Sequence, residues 1–151
     1  MARIALGTQQ NADRLTRTVA LAADQAVVVS TPVDTGRAKS NWIVELGSAP
    51  SDTIEPYAEG EFGSTAAENE QAALQQGESV IAGYNGDLNV DIHITNNLPY
   101  IEELNAGSSY QAPANFVEIA LVEALSIIRG GTIKLTGSTS GVRFFNLGRF
   151  G

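Results

Sequence analysis

The chain has 151 residues and a formal net charge of −8, and a single domain of that length buries a hydrophobic core without needing disulfides. It contains no cysteine and one histidine, which excludes thiolate zinc sites and argues against a transition-metal site. No apolar run reaches the length of a membrane span and the N-terminus lacks a signal peptide's apolar core, so we expect a protein made in the cytoplasm with no membrane partner.

The charge is segregated along the sequence. No lysine or arginine lies between Lys39 and Arg129, whereas that interval contains fourteen Asp and Glu residues. The last 23 residues contain four basic residues and no acidic one. An acidic middle argues against a nucleic-acid-binding face, because affinity for phosphate comes from Lys and Arg. Two interpretations remain: a surface past which DNA slides without adhering, or acidic residues that only keep the protein soluble.

The first predicted element is a helix from about Asn11 to the residues before Pro32. Its apolar residues recur at steps of three and four, the period of an amphipathic helix, at Leu15, Val19, Ala22, Ala26 and Val29. Asn11 is a favourable N-cap, and a proline cannot continue the helix. Residues 1–10 are therefore expected to form an N-terminal arm, and the helix to pack its apolar stripe on a sheet.

A tight corner is predicted next, in the sequence Thr31-Pro-Val-Asp-Thr-Gly-Arg37. Asp34 and Thr35 are residue types whose side chains accept hydrogen bonds from nearby backbone N–H groups. A strand follows at Trp42–Leu46, with alternate side chains on one face. Trp42 begins that apolar face, so we expect its ring to fill the core rather than to form a ligand platform.

Residues 47–63 are rich in Gly, Ser, Pro, Asp and Glu and predict an exposed acidic loop. A helix begins at about Ser64, and its end has two interpretations. Gly77 ends it and residues 80–84 form a strand, or it continues to a Gly83 cap. The apolar residues before Gly83 do not alternate with polar ones, which favours the longer helix.

The clearest predicted strand runs from Leu88 to Thr95, where apolar and polar residues alternate. Its apolar face is formed by Leu88, Val90, Ile92 and Ile94. The only histidine, His93, belongs to the polar face and has no Ser or Cys motif to serve. We therefore expect no catalytic role for it.

The stretch Asn96–Pro113 predicts a folded loop with about one helical turn. Pro99 disfavours helical backbone in the residue before it, and Gly107 accepts positive φ, so the chain changes direction twice. The apolar residues between these corners have a spacing that lets them anchor the loop to the core, while Glu102, Glu103 and Gln111 point outward. The anchors are Tyr100, Ile101 and Leu104.

The C-terminal part predicts a strongly apolar helix over Asn115–Arg129, a short strand over Thr132–Leu135, and a Gly/Ser/Thr hinge to Gly141. The rest is too apolar for a free tail, so we expect a partner arm that docks on its own domain or on another chain through Arg143, Phe144, Phe145, Arg149 and Phe150. The predicted fold is α+β: a small antiparallel sheet packed by two or three helices, with extended terminal arms. Its divisions are an arm at 1–10, a domain at 11–135 and an arm at 136–151.

Catalytic signatures are missing from the sequence. In Gly137–Gly141 a threonine, Thr139, stands where a nucleophile elbow needs serine, and no Gly-rich loop is followed by Lys-Ser or Lys-Thr. Glu102 and Glu103 are adjacent and therefore diverge, and Asp87 with Asp91 lacks the ligand spacing of a calcium loop. We expect a binding or structural protein, with no catalytic residue, no cofactor and no metal.

The corner, the loop and the start of the last helix together resemble the neck or tail-completion proteins of long-tailed bacteriophages, over about residues 10–130. The similarity lies in Thr31–Arg37 ending at Trp42, Asn96–Tyr100, the step from Leu104 to Gly107, and Ser109 with Gln111–Pro113 before Phe116. It implies that a set of motif residues fixes the fold and shapes the inter-subunit surface: Asp34, Thr35, Gly36, Arg37, Trp42, Asn97, Pro99, Tyr100, Gly107, Gln111 and Pro113.

The resemblance implies a non-enzymatic virion protein at the head–tail junction. Such a subunit forms a homo-oligomeric ring, a hexamer or dodecamer, contacts other neck, connector and tail proteins, and lets DNA pass through the lumen without specific binding. A tail-terminator or other tail-tube ring subunit is the alternative. A virion-associated carbohydrate-binding module or small hydrolase is a more distant one, and it would need a deep polar pocket with a perturbed acid or base.

Overall fold

One continuous helix, α1, runs from Ala2 to Ser30 in the computed structural model, which describes residues 2–107, 114–126, 133–137 and 143–147. It ends where predicted, since Pro32 follows and the Thr31 hydroxyl donates to the Val27 carbonyl at 2.6 Å. The predicted start was wrong: Asn11 lies inside the helix, and residues 2–10 form no extended arm. Those residues include good helix formers and no proline, so a potential N-cap did not interrupt them.

Four antiparallel strands form one sheet in the order β1-β2-β4-β3. They are β1 at Ile43–Leu46, β2 at Ile92–Asn96, β3 at Ile133–Gly137 and β4 at Arg143–Leu147. The α+β class with an antiparallel sheet packed by helices is confirmed. The boundary expected at residue 135 was wrong, because β4 lies between β2 and β3. The Gly/Ser/Thr run joins two paired strands, and the apolar sequence after it has a place in the sheet.

The part of the chain that the structure describes has five helices: α1, α2 (Arg37–Ser40), α3 (Ala66–Ala82), α4 (Ile101–Asn105) and α5 (Phe116–Ser126). The core lies where α1 meets α3, α5 and the sheet. Its largest fully buried side chains are Trp42, Ile81, Ile92, Ile94, Leu98 and Ile101. The expected core position of Trp42 is confirmed, and its indole N–H donates to the Thr31 hydroxyl at 2.8 Å. The end of α1 is therefore fastened to the start of β1.

The strand predicted from Leu88 begins only at Ile92. Gly86–Leu88 form a 3-10 turn instead, Leu88 is 47% exposed, and Asn89 adopts left-handed backbone with φ of 53°. Side-chain carboxylate and amide oxygens stabilise the turn, because Asp13 accepts from Gly86 N and Asn85 accepts from Asp87 N. These bonds outweigh the alternating pattern at its first positions.

The longer interpretation of the third helix is confirmed, since α3 continues to Ala82 with Gly83 as its C-cap. The Gln76 side chain on α3 pairs with the edge strand β1: its Oε1 accepts from Val44 N at 2.9 Å, and its Nε2 donates to Val44 O at 2.8 Å. An amide side chain thus takes the place of a neighbouring strand and blocks the exposed edge. The expected helix over Asn115–Arg129 is described from Phe116 to Ser126, and residues 127–132 lie outside the described part.

Candidate functional site

Asp34 of the predicted corner holds a distant loop. Its carboxylate Oδ1 accepts from Phe62 N at 2.8 Å, and its carbonyl accepts from Gly63 N at 2.8 Å. A local hydrogen bond was expected for both residues, and in the part of the chain that the structure describes Thr35 accepts one, from Arg37 N to its Oγ1 at 3.4 Å. The corner and the acidic loop of residues 47–63 are consequently one unit.

The Phe62 side chain is 92% exposed, and its backbone has a positive φ of 55°. A bulky residue rarely adopts left-handed backbone, which costs about 1–2 kcal/mol relative to the right-handed region. The phenyl ring of Phe62 therefore gains almost no stabilisation from burial against the rest of the chain. Neither the backbone conformation nor the exposed side chain of Phe62 is therefore explained by the stability of this fold.

Gly36 also has left-handed backbone, with φ of 82°. A Cβ added there would collide with the side-chain amide of Asn69 on α3. Asn69 is fully buried, donates to Ala58 O at 2.9 Å and accepts from the Ser40 hydroxyl at 2.9 Å. Asn69 was not predictable from the sequence, because an asparagine inside a helical pattern looks like an exposed polar position.

The corner meets the loop after β2. A groove of about 290 Å³ has the corner residues on one side and Tyr100 and Leu104 on the other. Burial raises the pKa of the Tyr100 hydroxyl, and the nearby positive charge of Arg37 opposes that rise. The Arg37 guanidinium also lies 3.8 Å from the Glu55 carboxylate. Arg37 therefore links the loop after β2 to the acidic loop of residues 47–63.

The predicted anchors hold the loop as expected. Ile101 is fully buried at the start of the short helix α4 (Ile101–Asn105), and Tyr100 and Leu104 pack partly buried against the core. The Asn97 side chain donates to Pro50 O at 2.6 Å, which connects the loop after β2 to the acidic loop of residues 47–63. Pro99 is exposed.

The far end of the loop turns at Gly107, whose φ is 98°. Asn105, a residue that no local pattern distinguishes, accepts from Val117 N at 3.0 Å and donates to the Glu118 carboxylate at 2.8 Å. It thereby caps the start of α5. Gln111 and Pro113 lie outside the described residues.

The residues assigned to a partner arm are only partly described. Arg143, Phe144 and Phe145 lie on β4, paired in register with Asn96, Thr95 and Ile94 of β2. Arg149 and Phe150 lie outside the described residues. The part of the arm that the structure describes is therefore a strand of the sheet.

Lys39 is a second buried polar residue that the sequence did not reveal. Its ammonium group donates to Val28 O at 2.9 Å, to Val29 O at 3.0 Å and to the Glu70 carboxylate at 2.7 Å. A cation at these last carbonyls of α1 complements the helix dipole. The Lys39 charge is thus neutralised by contacts within the chain.

Asp24 on α1 is buried against Gly77 of α3, where a Cβ would collide with its carboxylate. Burial raises its pKa to about 8, and the negative charge of Glu78 adds to the rise. Within the described part of the chain, its Oδ1 has no hydrogen-bond donor. The carboxyl is therefore mostly protonated at neutral pH.

Over the same ranges, no group of three or more His, Cys, Asp and Glu is placed to hold a metal ion. No described helix, α1 included, is long and apolar enough to cross a membrane. Comparisons with protein-family models, with curated proteins and with solved structures found no match.

Proposed function

We propose that the protein is a structural subunit of a phage neck or tail-completion ring that joins the DNA-filled head connector to the tail. The proposal combines the motif resemblance with one observation: the corner that carries the motif fixes an exposed aromatic residue on a strained turn. Asp34 makes the two hydrogen bonds that hold Phe62 and Gly63. These bonds support the proposal, because they link the motif to an exposed aromatic side chain that a neighbouring subunit could cover.

Phe62 fits the energetics of a contact between subunits. Burying a phenylalanine side chain contributes roughly 1.5–3 kcal/mol, and aromatic residues dominate the strongest positions of interfaces. A rigid turn lowers the entropy lost on docking. Contacts between unlike surfaces of identical subunits close into a ring when the rotation between neighbours allows it.

The acidic residues support passage of DNA without adhesion. Most carboxylates between residues 45 and 103 are exposed: Glu45, Asp52, Glu55, Glu59, Glu61, Glu68, Glu78, Asp87, Asp91 and Glu103. In a ring, they would concentrate on the lumen or on one face and repel the phosphate backbone. An assembly structure with these carboxylates spread evenly over the outside would contradict this part of the proposal.

The ring is tested with the purified 151-residue chain by native mass spectrometry and negative-stain electron microscopy. We expect closed rings of six or twelve copies. Phe62→Gly suits the left-handed backbone, so this variant should fold with the circular dichroism spectrum of the native chain while abolishing rings. Leu88→Ser, at another exposed apolar site, should assemble normally. A native chain that stays monomeric at all concentrations, or rings formed by folded Phe62→Gly, would overturn the proposal.

A further inference from the structure

Asn85 and Gly86 form the one Asn–Gly pair in the sequence, and they lie in the turn between α3 and β2. In such a pair, the backbone nitrogen of the glycine can attack the side-chain carbonyl carbon of the asparagine, because glycine has no Cβ to obstruct the approach. Asn85 is exposed to solvent, so water reaches its side chain. The pair therefore has the chemistry of a spontaneous deamidation site.

The attacking nitrogen is held by a carboxylate of α1. Asp13 Oδ1 accepts from Gly86 N at 2.9 Å, and Gly86 itself is buried. Gly86 N becomes a nucleophile only when it loses its proton, and a hydrogen bond from the protonated form to a neighbouring negative charge opposes that loss. The Asp13 contact therefore slows the first step of deamidation.

The groups on either side of the reacting atoms are held as well. Asn85 Oδ1 accepts from Asp87 N at 3.0 Å, which fixes the side-chain amide that would be attacked. Arg17 of α1 donates to Tyr84 O at 2.8 Å, on the other side of the pair. Ring closure removes the Gly86 proton and moves the Asn85 side chain. The reaction therefore requires the hydrogen bonds from α1 to this turn to open first.

We propose that Asn85 is a deamidation site that Asp13 keeps closed, and that it reacts when the hydrogen bonds from α1 to residues 84–86 open. Gly86 N forms a bond to Cγ of Asn85, the bond from Cγ to Nδ2 breaks, and Nδ2 leaves as ammonia with the proton given up by Gly86 N. Water then adds to one of the two carbonyl carbons of the five-membered ring and breaks its bond to nitrogen. The product at position 85 is aspartate or isoaspartate, and no oxidant or reductant is needed.

The product prevents the contact between α1 and the turn from re-forming as it was. A carboxylate at position 85 adds a negative charge next to the glycine that Asp13 contacts, and like charges at such short distances repel. Isoaspartate also adds one carbon to the backbone, which changes the spacing between the two groups that Asp13 and Arg17 hold. Deamidation therefore converts a reversible opening into a permanent one, whether or not the chain forms a ring.

The reaction is measured on the purified 151-residue chain incubated at pH 8, with peptide mapping by mass spectrometry to quantify aspartate and isoaspartate at position 85. We expect conversion in the native chain to be at least roughly tenfold slower than in the chain unfolded by guanidinium chloride, since a protected group reacts only from the open state. Asp13→Ala should accelerate conversion roughly tenfold relative to the native chain, because the Gly86 N–H loses a charged acceptor. Asp13→Asn keeps an oxygen acceptor without the charge and should give an intermediate rate.

Gly36→Ala is the matched control, because it disturbs the Asn69 contact and leaves the turn at Asn85 untouched. Its rate should stay within about twofold of the native rate. Circular dichroism establishes which variants fold, and Asp13→Asn carries the comparison if Asp13→Ala does not fold.

Three results would overturn the deamidation proposal. They are conversion as fast in the native chain as in the unfolded one, no acceleration by either Asp13 variant, or equal acceleration by Gly36→Ala, which would assign the reaction to global unfolding. Ring formation is a separate measurement, so the two proposals succeed or fail independently.

Discussion

The buried amide of Asn69 occupies the space that a side chain at Gly36 would need, so the backbone of the motif corner and the third helix fit together only around a glycine. The contact explains why the corner contains Gly36 in physical terms. Both the positive φ and the close approach of Asn69 require it.

Gly36→Ala should lower the free energy of unfolding by about 3 kcal/mol, because backbone strain is added to the displacement of a hydrogen-bonded asparagine. Gly63→Ala is the matched control. Gly63 has a similar φ of 75°, but the nearest atom to an added Cβ is 3.9 Å away, so only about 1 kcal/mol should be lost. Urea denaturation of both variants measures the difference, and equal losses would show that Asn69 does not restrict the site.

Gln76→Leu should destabilise the protein by about 1–3 kcal/mol, because Val44 N and O on the edge strand would lose their partners. Gln75→Leu, one residue earlier and exposed, should change stability by less than about 0.5 kcal/mol. Chemical denaturation gives both values. A Gln76→Leu variant as stable as the control would contradict the role of this side chain in closing the sheet edge.

The raised pKa of Asp24 predicts that stability falls with pH. The folded state holds this proton to about pH 8, whereas an unfolded aspartate loses it near pH 3.8. The contribution to stability is therefore complete below pH 3.8, declines as pH rises, and is lost once pH passes about 8. Between pH 6 and pH 8 the free energy of unfolding should fall by about 2 kcal/mol.

Asp24→Asn should flatten this dependence, since an amide does not titrate in that range. Asp87→Asn, at an exposed carboxylate, should retain the slope of the native chain. Urea titrations at pH 6, 7 and 8 provide the measurement. If Asp24→Asn kept the full slope, another group would be responsible and the assignment to Asp24 would be wrong.

Asp34→Ala should cost about 1 kcal/mol of stability and impair ring assembly, because the Phe62 turn loses a hydrogen bond that fixes it. Asp34→Asn keeps an oxygen acceptor without the charge and should restore assembly. Circular dichroism establishes that both variants fold, and native mass spectrometry measures ring content. If a folded Asp34→Ala variant assembled normally, the Asp34 hydrogen bond would not be needed for contact between subunits.

The features that could be predicted from the sequence are the core positions and helix ends, which depend on local residue pattern and on the burial of apolar side chains. Periodicity predicted that Trp42, Ile92 and Ile94 lie in the core. The positions of Gly and Pro predicted that α1 ends before Pro32 and that α3 continues to Gly83. The start of α1 was missed because Asn11, a good cap, is also tolerated inside a helix. Leu88 was missed because hydrogen bonds to the turn outweighed its alternation.

The candidate site was only partly predictable. Local composition indicated the corner and the loop, and the structure brings them together at a shared groove. The partners that define the site, Asn69 and the Phe62 turn, lie 28 or more residues from the corner residues they contact, and no local pattern encodes such pairs. Asp24, Lys39 and Gln76 likewise reveal their roles only through tertiary contacts.

Cryo-electron microscopy of the head–tail junction of phage particles is the decisive measurement for the proposed ring. We expect a ring of six or twelve copies of this fold at the junction, with Phe62 buried between neighbouring subunits and the exposed carboxylates gathered on the lumen or one face. A junction built without this chain, or a ring in which Phe62 remains in solvent, would contradict it.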